Sequence, residues 1–184
     1  MKRKFKIYFN APITLAFVLM CFIALLLQKL TNGASTRLLF STYKASLLDP
    51  LMYIRLVGHV FGHINLEHFL SNMMYILLLG PMLEEKYRDK LIIVVLVTAI
   101  ITGIINNVFF SVQLLGASGI VFAFILLASI TGKEKGIPIT LILVAIFFIG
   151  SEINDALTLN DSISQLTHII GGCCGAIVGL YYKK

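Results

Sequence analysis

Charge is scarce in this chain. Asp, Glu, Lys and Arg make up only 13% of its 184 residues, 58% are apolar and the mean hydropathy is +0.92, which is far from the balance of a water-soluble domain. Cysteine is rarer still. Cys21, Cys173 and Cys174 are the full set, and their number and spacing exclude a disulfide framework and a zinc site. All three fall in apolar stretches, where a free thiol acts as a small hydrophobe. Cys173 and Cys174 are neighbours that project to different sides of a helix, which argues against a redox pair. Sequence repeats and low-complexity tracts are also missing. What remains is the composition of a polytopic membrane protein.

Six apolar stretches lie near 12–30, 62–82, 91–110, 115–131, 137–154 and 162–182. A span needs about 20 residues to cross roughly 30 Å of hydrocarbon, so six use about 120 positions. Residues 1–184 are thus expected to form a single membrane domain with one long outer loop, 31–61. Every span should be helical, because lipid offers no partner for an open strand edge. The first follows Lys2, Arg3, Lys4 and Lys6 in the manner of a signal peptide, but no A-x-A-like cleavage site follows it, so a retained span is expected. Turn residues such as Gly132-Lys133-Glu134-Lys135-Gly136 mark the breaks.

Basic residues set the expected orientation. With both termini cytoplasmic, the inner segments hold Lys2, Arg3, Lys4, Lys6, Lys86, Arg88, Lys90, Lys133, Lys135, Lys183 and Lys184, eleven of the fifteen Lys and Arg. The other four, Lys29, Arg37, Lys44 and Arg55, lie at or in the long first loop. A net charge of +6 then reflects topology and contact with anionic lipid, not nucleic-acid binding.

Polar residues at membrane depth are costly unless they are buried and used. His68, Asn72, Ser118 and His168 stand out. At about 1.5 Å per residue from the estimated outer ends of their spans, they lie roughly 9, 15, 5 and 9 Å deep, in one layer. Span six carries Gly171, Gly175 and Gly179 in "THIIGGCCGAIVGL", a ridge that begins three residues after His168. Span four answers with Gly119 and Ala123. Small residues at this spacing permit close helix approach. An ordinary packing face would account for the glycines, but not for a serine and a histidine leading the two faces. His68 and Asn72 share a helix face. As neutral donors they suit an oxyanion hole, and interhelical hydrogen bonding is the plainer alternative.

His59, His63 and His68 are spaced like helical metal ligands. No carboxylate or second histidine cluster on another span completes a set, so no metal or other cofactor is expected. His59 and His63 are expected at the aqueous rim, capping and hydrogen-bonding the first loop.

Three motifs together resemble the rhomboid intramembrane serine proteases: His68-x-x-x-Asn72 in span two, Gly116-x-Ser118-Gly119 in span four, and His168-x-x-Gly171-x-x-x-Gly175 in span six. The resemblance covers roughly residues 12–182. Arg55, His59 and His63 also match the family's entry to span two, with Ile54 in an aromatic place, and Glu84 in "LGPMLEEKYR" matches its acidic residue. Two departures are plain. Phe122 stands where many members carry a tyrosine that stacks on the catalytic histidine, so stacking is kept and the hydroxyl is lost. Tryptophan is absent, which leaves Phe40, Tyr43 and Tyr53 to seat the first loop.

The resemblance implies a six-helix bundle in the bacterial cytoplasmic membrane, in a minimal form. It implies Ser118 as nucleophile, His168 as general base and acid, and the Ser118 amide, His68 and Asn72 as oxyanion donors, with Gly116, Gly119, Phe122, Gly171 and Gly175 in support. Glu152, Asp155 and Asp161 read as solvated loop acids, not as a third catalytic member. Implied substrates are single-pass membrane proteins cut near the outer end of their span, admitted laterally by movement of span five and the loop 155–161. Two other classes compete: an inactive relative that escorts membrane clients, which would normally have lost the serine or histidine, and a small transporter, whose polar groups should lie nearer the midplane.

Overall fold

A computed structural model describes residues 7–130, 136–158 and 162–182. Of the side chains of residues 152, 155–158 and 162–164 nothing is described, so the acids Glu152, Asp155 and Asp161 fall outside it. Of the eleven inner basic residues, Lys86, Arg88 and Lys90 fall inside.

Each expected stretch carries a helix: α1 (Pro12–Leu30), α4 (Leu66–Tyr87), α5 (Lys90–Phe109), α6 (Ser118–Ser129), α7 (Ile139–Thr158) and α8 (Ser162–Tyr181). Between α1 and α4 lie two short helices, α2 (Ala34–Leu39) and α3 (Pro50–Gly58), and a 3₁₀ turn at His59–Phe61. Among the described residues, α1 and α5 are the two helices long and apolar enough to cross a membrane by length and composition. The outward faces of α1, α4, α5 and α7 are lined by exposed apolar side chains, such as Leu19, Phe22 and Leu26, or Leu70, Met74 and Leu78. An apolar surface this continuous belongs against lipid.

α6 is different: Gly119, Ile120, Val121, Ala123, Phe124, Leu126, Leu127 and Ser129 are all buried. Packed among α4, α5, α7 and α8, it is the centre of the bundle, as expected of a helix that is apolar all round. It is also short. Twelve residues give about 18 Å of helix.

Two boundaries differ from expectation for local reasons. Asn65 caps α4, its side chain accepting from the His68 amide at 2.8 Å, so the helix starts at Leu66 and not at 62. The 3₁₀ turn and the bend after it therefore separate His59 and His63 from the helix of His68, and the metal-like spacing spans three local structures. α6 starts three residues later than expected, because residues 110–117 are held out of the helix. Leu114 pairs with Thr42 in both directions at 2.8 and 2.9 Å, and the Gly116 amide donates to the His59 carbonyl at 3.0 Å.

Glycine sets the closest approach. A Cβ on Gly171 would lie 2.1 Å from the Gly119 carbonyl oxygen, and one on Gly175 would lie 2.1 Å from that of Ala123. The expected ridge therefore meets the expected partner residues, backbone against backbone. At the other end of α4, buried Glu84 accepts from the Ile13 and Thr14 amides at 2.9 Å each and from the Thr14 hydroxyl at 2.8 Å. Ala11 at the α1 N-cap has no side-chain oxygen, so Glu84 satisfies the orphan amides and the positive helix end together. Lys86 donates to the Ile130 carbonyl and closes the opposite end of α6.

Gly171→Leu should prevent the α6–α8 contact, because a backbone carbonyl cannot move aside. Gly179→Leu meets only the side-chain ends of Ile130 and Leu127 at 2.5 and 2.6 Å, which can rotate. Thermal unfolding in detergent should show a loss of about 3 kcal/mol or more for the first and about 1 for the second; equal losses would deny the backbone contact its special place.

Candidate active site

Ser118 is the first residue of α6, and Ala117 before it offers no side-chain cap. The first amides of a helix have no intrahelical acceptor and carry the positive end of its dipole. Here the Val121 amide donates to the Ala117 carbonyl at 2.9 Å. The uncapped end opens into a cavity of about 350 Å³ whose lining includes Ser118, His168, His68, Asn72, Ser71 and Gln113. Three larger clefts, of about 390, 430 and 890 Å³, have no serine or histidine in their walls. All four polar residues singled out at membrane depth thus meet in one place, drawn from α4, α6 and α8.

Their orientations have separate causes. The His168 ring is held by Phe122, one turn along α6 from Ser118, with centroids 4.5 Å apart and planes at 42°. Phe148 of α7 backs Phe122 at 4.3 Å. Phe122 thus touches the His168 ring at a tilt, without a phenolic hydroxyl. His68 lies against Gly116, whose φ is +129°, a conformation suited to glycine. A Cβ on Gly116 would stand 2.9 Å from His68 Cε1, 3.0 Å from its Nε2 and 3.9 Å from Ser118 Oγ. Asn72, buried, donates to the His68 carbonyl at 3.0 Å. Its carboxamide has a second N–H.

His59 and His63 are both buried, at 1% exposure each, not at the rim. His59 Nδ1 donates to the Arg55 carbonyl at 3.1 Å and its Nε2 lies 3.3 Å from the Thr102 hydroxyl. Burial pushes the His59 imidazole down to about 4, so it is neutral at physiological pH. His63 Nδ1 donates to the Phe61 carbonyl at 3.1 Å. Both histidines use Nδ1 on a backbone carbonyl, and among the described residues no group of three His, Cys, Asp or Glu is placed to hold a metal.

The first loop is tied to the end of α5 and to the segment that leads into the site. Asn106 donates to the carbonyls of Thr42 and Val112 at 3.2 and 3.1 Å, and Asn107 to that of Tyr43 at 2.9 Å. Gln113 donates to the Ser41 hydroxyl at 2.7 Å. Two adjacent asparagines ending an apolar span are a signal of the same kind as His68 and Asn72. Buried Arg55 pairs with Asp49 at 2.5 Å and lies over the Tyr43 ring at 4.6 Å. Tyr43 and Tyr53 donate to the Arg37 and Leu47 carbonyls at 3.4 and 3.0 Å, so the loop's aromatics tie it to itself.

Gly116→Ala should leave the fold intact and displace His68, since it combines a positive φ with a Cβ at 3 Å from the ring. Strain of about 1–3 kcal/mol should appear as slower labelling of Ser118 by a fluorophosphonate; an unchanged rate would mean that the His68 position is not set by this contact.

The Rhomboid domain model matches residues 50–184. Among curated relatives, the rhomboid protease GlpG of Yersinia pestis (strain Pestoides F) is 27% identical over 176 residues, and that of Yersinia enterocolitica serotype O:8 is 28% identical over 180. Each alignment covers 92% of this chain and 62% of the relative, so the chain spans less than two thirds of the length of these relatives. The matched region holds the entire cavity lining, from Ile64 through Ser118 to His168, and with it the three motifs; the chain belongs to the rhomboid family.

Proposed function

We propose that this protein is an intramembrane serine endopeptidase that cuts single-pass transmembrane proteins near the outer end of their span. The observation that carries the reading is the single cavity in which Ser118, at the uncapped start of a buried helix, meets His168, His68 and Asn72. The helices α1, α4, α5, α6, α7 and α8 are the six spans of one membrane domain, with both termini in the cytoplasm of a bacterial cell. Lys86, Arg88 and Lys90 then mark the inner face. Held at that face by Lys86, α6 rises about 18 Å, which leaves Ser118 roughly 12 Å below the outer edge of a 30 Å core. That is deeper than the sequence suggests, because the helix starts later.

In the proposed reaction His168 accepts the Ser118 hydroxyl proton as Oγ bonds to the scissile carbonyl carbon. The oxyanion is met by the Ser118 amide, His68 Nε2 and the free N–H of Asn72. Collapse breaks the C–N bond, and His168 returns the proton to the leaving amine. Water then attacks the acyl-enzyme by the same route in reverse. No carboxylate lines the cavity among the described residues, so Phe122 packing takes the orienting role that a third acid plays elsewhere. Substrate enters laterally beside α7, whose Phe148 backs Phe122. Escort of membrane clients by an inactive protein is the reading that takes over if the serine proves unreactive.

Two measurements test this. A fluorophosphonate should label the protein once, at Ser118, and fail on both Ser118→Ala and His168→Ala, because a serine hydroxyl attacks at neutral pH only beside a base. Equal labelling of His168→Ala would remove the dyad. Asn72→Ala should lower kcat on a labelled transmembrane substrate by about 2.7 kcal/mol, the low end for an oxyanion donor, with KM unchanged. Normal kcat with raised KM would reassign Asn72 to helix packing.

A further inference from the structure

His63 lies outside the proposed chemistry, yet its ring touches that of His68 edge to face, with centroids 5.0 Å apart and planes at 64°. Phe69 fixes the His63 ring from another side at 5.5 Å. A carbonyl oxygen can only accept, so the bond between His63 Nδ1 and the Phe61 carbonyl puts the hydrogen on Nδ1. Neutral His63 then has a bare lone pair on Nε2, and this nitrogen is buried with no hydrogen-bond partner among the described residues.

His68 poses the matching problem. Its Nε2 lies on the Gly116 side of the ring, toward Ser118, while its Nδ1 is buried without a partner. To donate into the cavity as a neutral ring, His68 must carry its hydrogen on Nε2, which leaves a lone pair on Nδ1. Two touching rings thus each present a buried nitrogen acceptor. Neither can satisfy the other. A double donor satisfies both, and the smallest is one water molecule, the usual occupant of such polar interior sites.

We propose that His63 is a positioning residue for His68: a single bound water donates to His63 Nε2 and His68 Nδ1 and so holds His68 in the tautomer that points Nε2–H into the cavity. The order of control runs from the Phe61 carbonyl through His63 and the water to His68. A backbone carbonyl two residues before His63 thereby selects the donor available at Ser118. The consequence for turnover rests on the proteolytic reading; the tautomer itself does not.

Nitrogen-15 NMR of histidine-labelled full-length protein in micelles reads the tautomers directly, each of the four histidines being assigned by its own substitution. His63 should be protonated on Nδ1 and His68 on Nε2. His63→Phe keeps a ring and removes both nitrogens, and His68 should then lose its single tautomer. His68 protonated on Nδ1, His63 protonated on both nitrogens, or His68 unchanged in His63→Phe would each overturn the proposal. The parent spectrum decides the first two even if the variant does not fold. On a cleavable substrate, His63→Phe should lower kcat about tenfold at constant KM, the scale of one lost hydrogen bond, and should have no further effect in a His68→Ala background. Fully additive losses would make His63 merely structural and overturn the proposal. The expected tautomers in a protein that cleaves nothing would support the positioning role and sink the protease.

Discussion

The backbone of α8 rests on the backbone of α6, and the rest of the molecule is arranged around that contact. The Gly119 and Ala123 carbonyls occupy the places where side chains at Gly171 and Gly175 would begin. Between apolar helices in lipid there is no hydrophobic gain from association, so van der Waals contact and close-range polar contact must hold them. A backbone contact also has no rotamers. Ser118 precedes Gly119 by one residue, and His168 precedes Gly171 by three. The relation of serine to histidine is therefore fixed by main chain, and side-chain packing only trims it.

That arrangement places demands elsewhere. A helix as short as α6 cannot fill the bilayer, so the chain must reach its start as non-helical backbone, and non-helical backbone needs partners. The first loop supplies them: Thr42 pairs with Leu114, and Asn106 bonds the carbonyls of Thr42 and Val112. The His59 carbonyl takes the Gly116 amide, so the 3₁₀ turn before α4 also anchors the residue that shapes the His68 pocket. What looks in sequence like a loose outer loop is a collar whose hydrogen bonds let irregular structure exist beside the spans.

The site was legible in the sequence where cost made it conspicuous. His68, Asn72, Ser118 and His168 are polar groups in apolar runs, and the glycine ridge beside His168 repeats at a helical period. The details set by distant partners were not. Asn106 meets a carbonyl 64 positions away, a distance that no local period reports. Helix starts at Leu66 and Ser118 depend on Asn65 as a cap and on the positive φ of Gly116, and each shifts a boundary by a turn or less. His59 and His63 hydrogen-bond the first loop as expected, but from buried positions. Their spacing fits one helix, but the chain breaks between them, and backbone carbonyls claim their Nδ1 atoms.

Those carbonyls point to how a site with no carboxylate among its described lining residues can stay ordered. A carboxylate beside an imidazole fixes ring and tautomer together, at the cost of burying a charge. Here both tasks fall to neutral groups. Aromatic packing of Phe122 and Phe148 orients the His168 ring, and main-chain oxygens set the tautomers of His59 and His63. Neutral devices suit the bilayer, where an unpaired charge is most expensive, but they are short-ranged and fail once helices separate. A site of this kind therefore depends on close backbone packing for its electrostatics as well as its geometry, which ties the histidines back to the contact between α6 and α8.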